Sequence, residues 1–244
     1  MKSYCFLVCL LLLICCTDNG KKKDHQIIEV QKATVSPTLD GKANENCWNA
    51  AQWHPLDQNW VGEAYSYEDF NGRYKLTWDT DALYILVEIT DDVLYDQKED
   101  PFKFWWDDDC VEVFVDENNS GGLHQFSHNA FAYHIALDGK VVDLAPDREP
   151  RLFNEHVVSK RVTKGTTSTW EIAVKLFDDS YMDGKTNIPK KLFKEKKVGF
   201  GLAYCDNDGS KERENFIGSV FIAGEDKNRG WIDADVFGTL VLKE

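Results

Sequence analysis

Residues 104–119, FWWDDDCVEVFVDENN, place two indoles beside three carboxylates and then an alternating apolar run. Each group suits a different chemistry. A flat indole stacks on the C–H face of a pyranose while nearby carboxylates and amides bond its hydroxyls. Clustered carboxylates ligate a hard cation such as calcium, which takes oxygen ligands. Two opposed acids hydrolyse a glycosidic bond, provided that one has a raised pKa. Asp109 and Glu112 are a poor pair for that last task. Three residues apart on a strand, they point to opposite faces, so a catalytic partner would have to come from elsewhere, such as Asp206 or Asp233.

The acids recur in Cys205-Asp206-Asn207-Asp208-Gly209-Ser210. This resembles part of a calcium loop but lacks the full spacing and distal acid of an EF-hand. Asp107, Asp109, Asp206 and Asp208 are the candidate ligands for a structural Ca2+, with solvated turns as the alternative; no organic cofactor is expected. Three histidines, His124, His128 and His134, fall within GLHQFSHNAFAYHIALDG. His134, on a strand, is a candidate polar contact to sugar. A haem-binding electron-transfer domain would need His128 or His134 as an axial ligand in a broad apolar pocket. A colourless preparation without a Soret band removes that reading.

Eight tryptophans are many for 244 residues. Trp48, Trp78 and Trp170 lie in helix or strand contexts that predict core packing. Trp53 and Trp60 fit either environment. Trp106 sits among acids and Trp231 in EDKNRGWIDAD, polar on both sides, which makes these two the candidate platforms.

Strands must position them. Apolar residues recur mostly with period two or in short solid runs, which predicts strands at 74–78, 83–90, 110–116, 130–137, 141–144, 155–162, 169–176, 198–205 and 237–242. Asp79-Thr80-Asp81, Asn118 to Gly122, Asp138-Gly139 and Asp208-Gly209 mark turns between them. Short helices are predicted at 45–51, capped by Asn44, and near 189–193. The fold class is all-β: one antiparallel β-sandwich, jelly-roll-like, with one or two short helices. In the 110–116 strand, Val111, Val113 and Val115 share the core face. Cys110, Glu112, Phe114 and Asp116 share the other, which suits the floor of a concave site.

The chain opens with MKSYCFLVCLLLLICC, a basic residue and then an apolar run long enough for a secretory signal but too short for a membrane span. Leu13-Ile14-Cys15-Cys16 resembles a bacterial lipobox with Cys16 as the lipidated residue. The expected organisation is a signal segment at 1–15, lipidated Cys16 with a polar tether over 16–32, and one domain over 33–244. That describes an exported lipoprotein held to a membrane of a Gram-negative bacterium, in the periplasm or at the cell surface. With 28 basic and 42 acidic residues the net charge is −14. Nucleic acid is excluded as a partner, and densely anionic polysaccharides are disfavoured. A neutral oligo- or polysaccharide remains. Beyond the signal and the lipidated residue, Cys47, Cys110 and Cys205 cannot all pair with one another.

The ordered motifs resemble a family 9 carbohydrate-binding module. Leu39-Asp40-Gly41 followed by Trp48 is similar to the family's opening turn. Leu76-Thr77-Trp78-Asp79 with Leu83-Tyr84-Ile85 resembles its hairpin, and Trp106-Asp107-Asp108-Asp109-Cys110-Val111-Glu112-Val113-Phe114-Val115-Asp116 its most specific motif. Val198-Gly199-Phe200 and Trp231 with Phe237-Gly238-Thr239-Leu240 are similar to the closing elements. The resemblance implies a non-catalytic module in which Trp106 and Trp231 clamp a sugar and Glu112 bonds its hydroxyls. It also implies structural calcium and glycan-degrading enzymes as partners; a glycoside hydrolase activity is the alternative. Two departures change the hydrogen-bonding set. Gln125-Phe126-Ser127-His128 lacks the family's arginine, and Ala203 and Cys205 stand where the family has amides.

Overall fold

Residues 26–244 are described in a computed structural model. The signal segment and Cys16 lie outside the described residues, as does most of the expected tether. The strands are β1 (Ile27–Gln31), β2 (His54–Leu56), β3 (Gln58–Val61), β4 (Phe70–Trp78), β5 (Leu83–Asp91), β6 (Cys110–Asp116) and β7 (Phe131–Ala136). They continue as β8 (Val141–Leu144), β9 (Pro150–Leu152), β10 (Val157–Lys164), β11 (Thr167–Val174), β12 (Lys197–Asp206), β13 (Asn215–Gly218) and β14 (Gly238–Lys243).

Two sheets face each other as a β-sandwich. The nine-stranded sheet runs β1-β14-β12-β6-β7-β8-β9, with β13 on β12 and β3 on β13; the five-stranded sheet runs β10-β11-β5-β4-β2. Pairing is antiparallel except where β1 lies parallel to β14.

Three local expectations are corrected. Residues 27–31 fall within the expected tether but form β1, whose alternation buries Ile28 and Val30 and exposes Ile27 and Glu29. The helix α1 (Asn46–Ala50) takes Glu45 rather than Asn44 at its cap position, without a side-chain cap bond. Residues 189–193 are not helical, and Lys190 instead bridges to Leu176. A 3-10 turn forms at Ala234–Val236, where the Asp233 side chain accepts from the Asp235 N–H.

Between the sheets lies the main core, which takes Val111, Val113 and Val115 from β6 together with Trp78 and Trp170. Each such side chain contributes about 1.5–3 kcal/mol by leaving water. The opposite face of β6 is covered too. Cys110 and Phe114 pack there with Trp60, Phe216 and Phe237, and half-buried Trp106 and Trp231 lean on the same cluster. A strand covered on both faces carries no solvated row, so Glu112 on β6 is buried, at 2% exposure.

The segment before α1 is fixed by one carboxylate. Glu171 on β11 is fully buried and accepts from the Asp40 N–H (2.8 Å), the Gly41 N–H (2.7 Å) and Trp48 Nε1 (2.9 Å). Gly41 is needed in that turn: its φ is +77°, and a Cβ would lie 2.6 Å from Val162 Cγ2. Glu171→Ala leaves three donors without an acceptor and is expected to cost about 3 kcal/mol, a fall in Tm of roughly 6–12 °C. A thermal melt within about 2 °C of wild type would show that water replaces the carboxylate without loss.

A second buried polar group sets an acid limit. His156 stacks on Phe177 at 4.0 Å and its Nδ1 accepts from the Tyr133 hydroxyl at 2.7 Å. Burial, with His128 and Lys175 adding repulsion, lowers its pKa to about 3. An unfolded histidine takes its proton near 6.5, so between pH 6.5 and 3 the unfolded chain binds more protons and acid weakens the fold. The whole window is worth on the order of 5 kcal/mol. Buried carboxylates with raised pKa act in the opposite sense, so the readout is a difference. The loss of Tm from pH 6.5 to 4 should be smaller in His156→Phe than in wild type, and equal losses would refute the assignment.

Candidate functional site

Against the outer face of β6, β7 and β8 lies a cleft of about 460 Å³. Trp106, Trp231, Glu112 and His134, the four ligand-binding residues expected from the sequence, all line it. Trp105, Gln125, Phe126, Asp143, Leu144, Arg213 and Asn228 complete the wall.

The two platforms come from different loops. Trp106 lies just before β6, braced edge-on by Trp105 (centroids 4.8 Å apart, 77°) and Phe104 (5.8 Å, 77°). Trp105 in turn meets the edge of His134 at 6.1 Å. Trp231 lies between β13 and β14, oriented by its Nε1 donating to the Asn228 carbonyl at 3.1 Å. Both indoles keep apolar surface exposed, an arrangement suited to a flat C–H face.

The floor is polar and mostly ion-paired. Glu112 and His134 are register partners across β6 and β7, with His134 Nε2 3.2 Å from Glu112 Oε2. That is ion-pair distance, but the alignment leaves Oε2 without a hydrogen bond, a buried acceptor facing the cleft. Burial opposes a charged His134 ring, but the charge of Glu112 at ion-pair distance outweighs it and raises the pKa. Burial raises Asp143 to about 7, against the Ala132 N–H and the charge of His134. Arg213 enters from the loop between β12 and β13, its Nη1 donating to Cys205 Sγ at 3.2 Å.

The acids sort differently from expectation. Asp91, Asp109 and Asp206 converge, each offering one oxygen, with those atoms all within 4.8 Å of one another and every side chain buried. Asp208 belongs instead to a neighbouring, more exposed group with Asp69 and Asp92. Asp107 joins neither among the described residues; its carboxylate accepts from the Arg213 N–H at 3.3 Å. Successive residues of a turn point apart, which separates Asp107 from Asp109. Asp91, in Thr90-Asp91-Asp92, reads from the sequence as a strand exit and not as a ligand, because its partners lie far away in the chain.

In the buried trio Asp109 accepts from the N–H groups of Tyr95 (2.6 Å) and Asn207 (2.9 Å), and Asp91 from the Tyr204 hydroxyl (2.7 Å). Asp206 Oδ1 is a buried acceptor without a partner. Burial first, then the charge of Asp91, raises Asp109 to about 9 and Asp206 to about 8. An all-oxygen donor set fits a hard cation. Two ligands at about 2.4 Å from calcium lie at most about 5 Å apart, and these do.

The remaining chemistry candidates lie apart. Asp233 caps the 3-10 turn and lies 3.4 Å from Arg229. His124 Nε2 bonds the Gly230 carbonyl at 2.8 Å. His128 stacks on Phe131 and pairs with Asp183 at 3.2 Å, while His134 lines the cleft, so the two do not share a pocket.

A family model described as "Carbohydrate family 9 binding domain-like" matches residues 39–244. The chain is 25% identical over 211 residues to Endo-1,4-beta-xylanase A of Thermotoga maritima, covering 85% of this chain and 17% of that protein. It is 33% identical over 106 residues to Endo-1,4-beta-xylanase A of Thermoanaerobacterium saccharolyticum, covering 43% of this chain and 8% of that one. This chain therefore spans less than a fifth of the length of these curated relatives. Among solved structures, a family 9 module from Caldicellulosiruptor kristjanssonii in complex with cellotriose has a TM-score of 0.68 at 22% identity, covering 89% of this chain and 94% of that one. A putative carbohydrate-binding protein from Bacteroides uniformis gives 0.57 at 14%, covering 90% and 100%. At these identities the structures establish a shared fold.

Proposed function

The chain belongs to the carbohydrate family 9 binding domain-like family, and from that premise we propose that it binds a glycan without transforming it. A pyranose stacks between Trp106 and Trp231, and Glu112 and His134 orient its hydroxyls. The observation that carries this reading is the buried Glu112 Oε2, ion-paired with His134 but without a hydrogen bond, in a cleft walled by two half-exposed indoles. A sugar hydroxyl gives that oxygen the donor it lacks, and stacking covers the indole faces. The partner is a largely neutral oligo- or polysaccharide, in keeping with the acidic chain.

Three further elements complete the reading. Calcium held by Asp91, Asp109 and Asp206 braces the strand ends behind the cleft. The Cys16 lipid anchors an exported protein to a membrane. Since the curated relatives are xylanases in name, glycan-degrading enzymes are the fitting partners. Labelling with a palmitate analogue, lost in Cys16→Ala, tests the anchor. Calorimetry against cello- and xylo-oligosaccharides tests the function. Saturable binding with no released reducing sugar is expected, and product release would move the protein to the enzymes.

A further inference from the structure

The charge layout of the cleft leaves one group without a carboxylate at contact distance, although the charges of Cys205 and Glu112 reach it. Glu112 is committed to His134 at 3.2 Å, and Asp143 accepts from the N–H groups of Ala132 and Leu144 at 2.9 and 2.7 Å. Arg213 faces no carboxylate within ion-pair distance among the described residues, although the chain carries 42 acidic residues. Its side chain has one hydrogen bond, to the sulfur of Cys205, and a thiol is a weak acceptor. The guanidinium is nonetheless held firmly. It lies over the Phe216 ring at 4.1 Å, and its own backbone N–H is tied to the Asp107 carboxylate at 3.3 Å. A partly buried, oriented cation with a weak partner is costly unless something else completes it.

We infer that Arg213 recognises a sugar carboxylate, so that the cleft takes a uronic acid unit borne on an otherwise neutral glycan. The inference rests on the proposed stacking site and adds the chemical class of its ligand. Hydroxyls would accept single hydrogen bonds and leave the charge uncancelled. A carboxylate matches the planar fork with two parallel bonds and neutralises it. The overall negative charge still disfavours a polyanion, whose many carboxylates meet repulsion away from the cleft. A single acidic unit in a neutral chain meets Arg213 and His134 in the cleft, set against Glu112 and Asp143, and none of the wider negative surface.

The test compares three kinds of disaccharide on the full-length protein by calorimetry. These are a β-1,4-linked disaccharide with glucuronic acid at either end in turn, the methyl ester of each, and cellobiose. The acid form should bind on the order of 10-fold more tightly than its ester and than cellobiose. In Arg213→Gln, which keeps an N–H donor without the charge, the acid-to-ester ratio should fall to about one; Arg213→Lys should keep part of it. The wild-type ratio decides the matter even if the variants fold poorly. Ester or cellobiose binding as tightly as both acids would overturn the inference and leave the stacking site standing. Absence of binding to all three would overturn it as well, and the oligosaccharide panel then judges the stacking site by itself.

Discussion

Replacing Trp106 by alanine is expected to abolish measurable glycan binding while moving Tm by only about 2–4 °C. Both halves follow from its place. The indole supplies one wall of the cleft and is braced edge-on by Trp105 and Phe104. A central aromatic of this kind typically carries about 2–3 kcal/mol of binding, a loss of roughly 30- to 150-fold. Stability depends on it much less, because it only leans on a cluster built by Trp60, Phe114, Phe216 and Phe237. Trp231→Ala should lose a similar factor. Trp170→Ala is the opposite control: fully buried in the main core, it should unfold the domain or lower Tm by far more. Titration calorimetry with a short oligosaccharide series, paired with thermal melts, reads both quantities. A Trp106→Ala protein that keeps its affinity but melts early would make the indole a core residue.

What the sequence conveyed about this cleft was set by periodicity. Alternation along β6 separated the valines from Glu112, and the fold keeps that division, the valines entering the inter-sheet core and Glu112 the cleft. Tryptophan context also sorted correctly, since Trp48, Trp78 and Trp170 are buried and Trp106 and Trp231 are half-exposed. Long-range convergence left no local mark. Arg213 stands in SKEREN, a charged loop that looks solvated, and only the antiparallel pairing of β12 with β6 and β13 brings it over the cleft. It supplies a guanidinium where the Gln125-Phe126 segment has none. β1 hid for a related reason. Its exposed positions are as polar as the tether before it, and its buried ones gain meaning only beside β14.

Calcium should stabilise the domain, and its effect should grow with pH. Asp91, Asp109 and Asp206 reach one point from the ends of β5 and β12 and the residue before β6, positions far apart in sequence. Three carboxylates there cannot all ionise without a cation, because burial and mutual repulsion raise Asp109 to about 9 and Asp206 to about 8. In the unfolded chain both ionise near 4, so without metal the fold holds more protons and loses stability as pH rises from about 4 to 9. A cation displaces those protons and reverses the loss. At a calcium concentration 100-fold above Kd the gain is about 2.7 kcal/mol, and Tm should rise by roughly 5–10 °C. The increment at pH 8 should exceed that at pH 6, and magnesium, which demands tighter octahedral geometry, should give less. Asp206→Asn removes a ligand and part of the repulsion together, and spares Asp109, whose two oxygens each accept a backbone N–H. That variant should melt no earlier than calcium-free wild type, yet fail to respond to the ion. Melts at both pH values with chelator and with millimolar calcium measure all of this. An unchanged wild-type Tm on adding calcium would mean that the trio stays protonated, as a hydrogen-bonded group of the core.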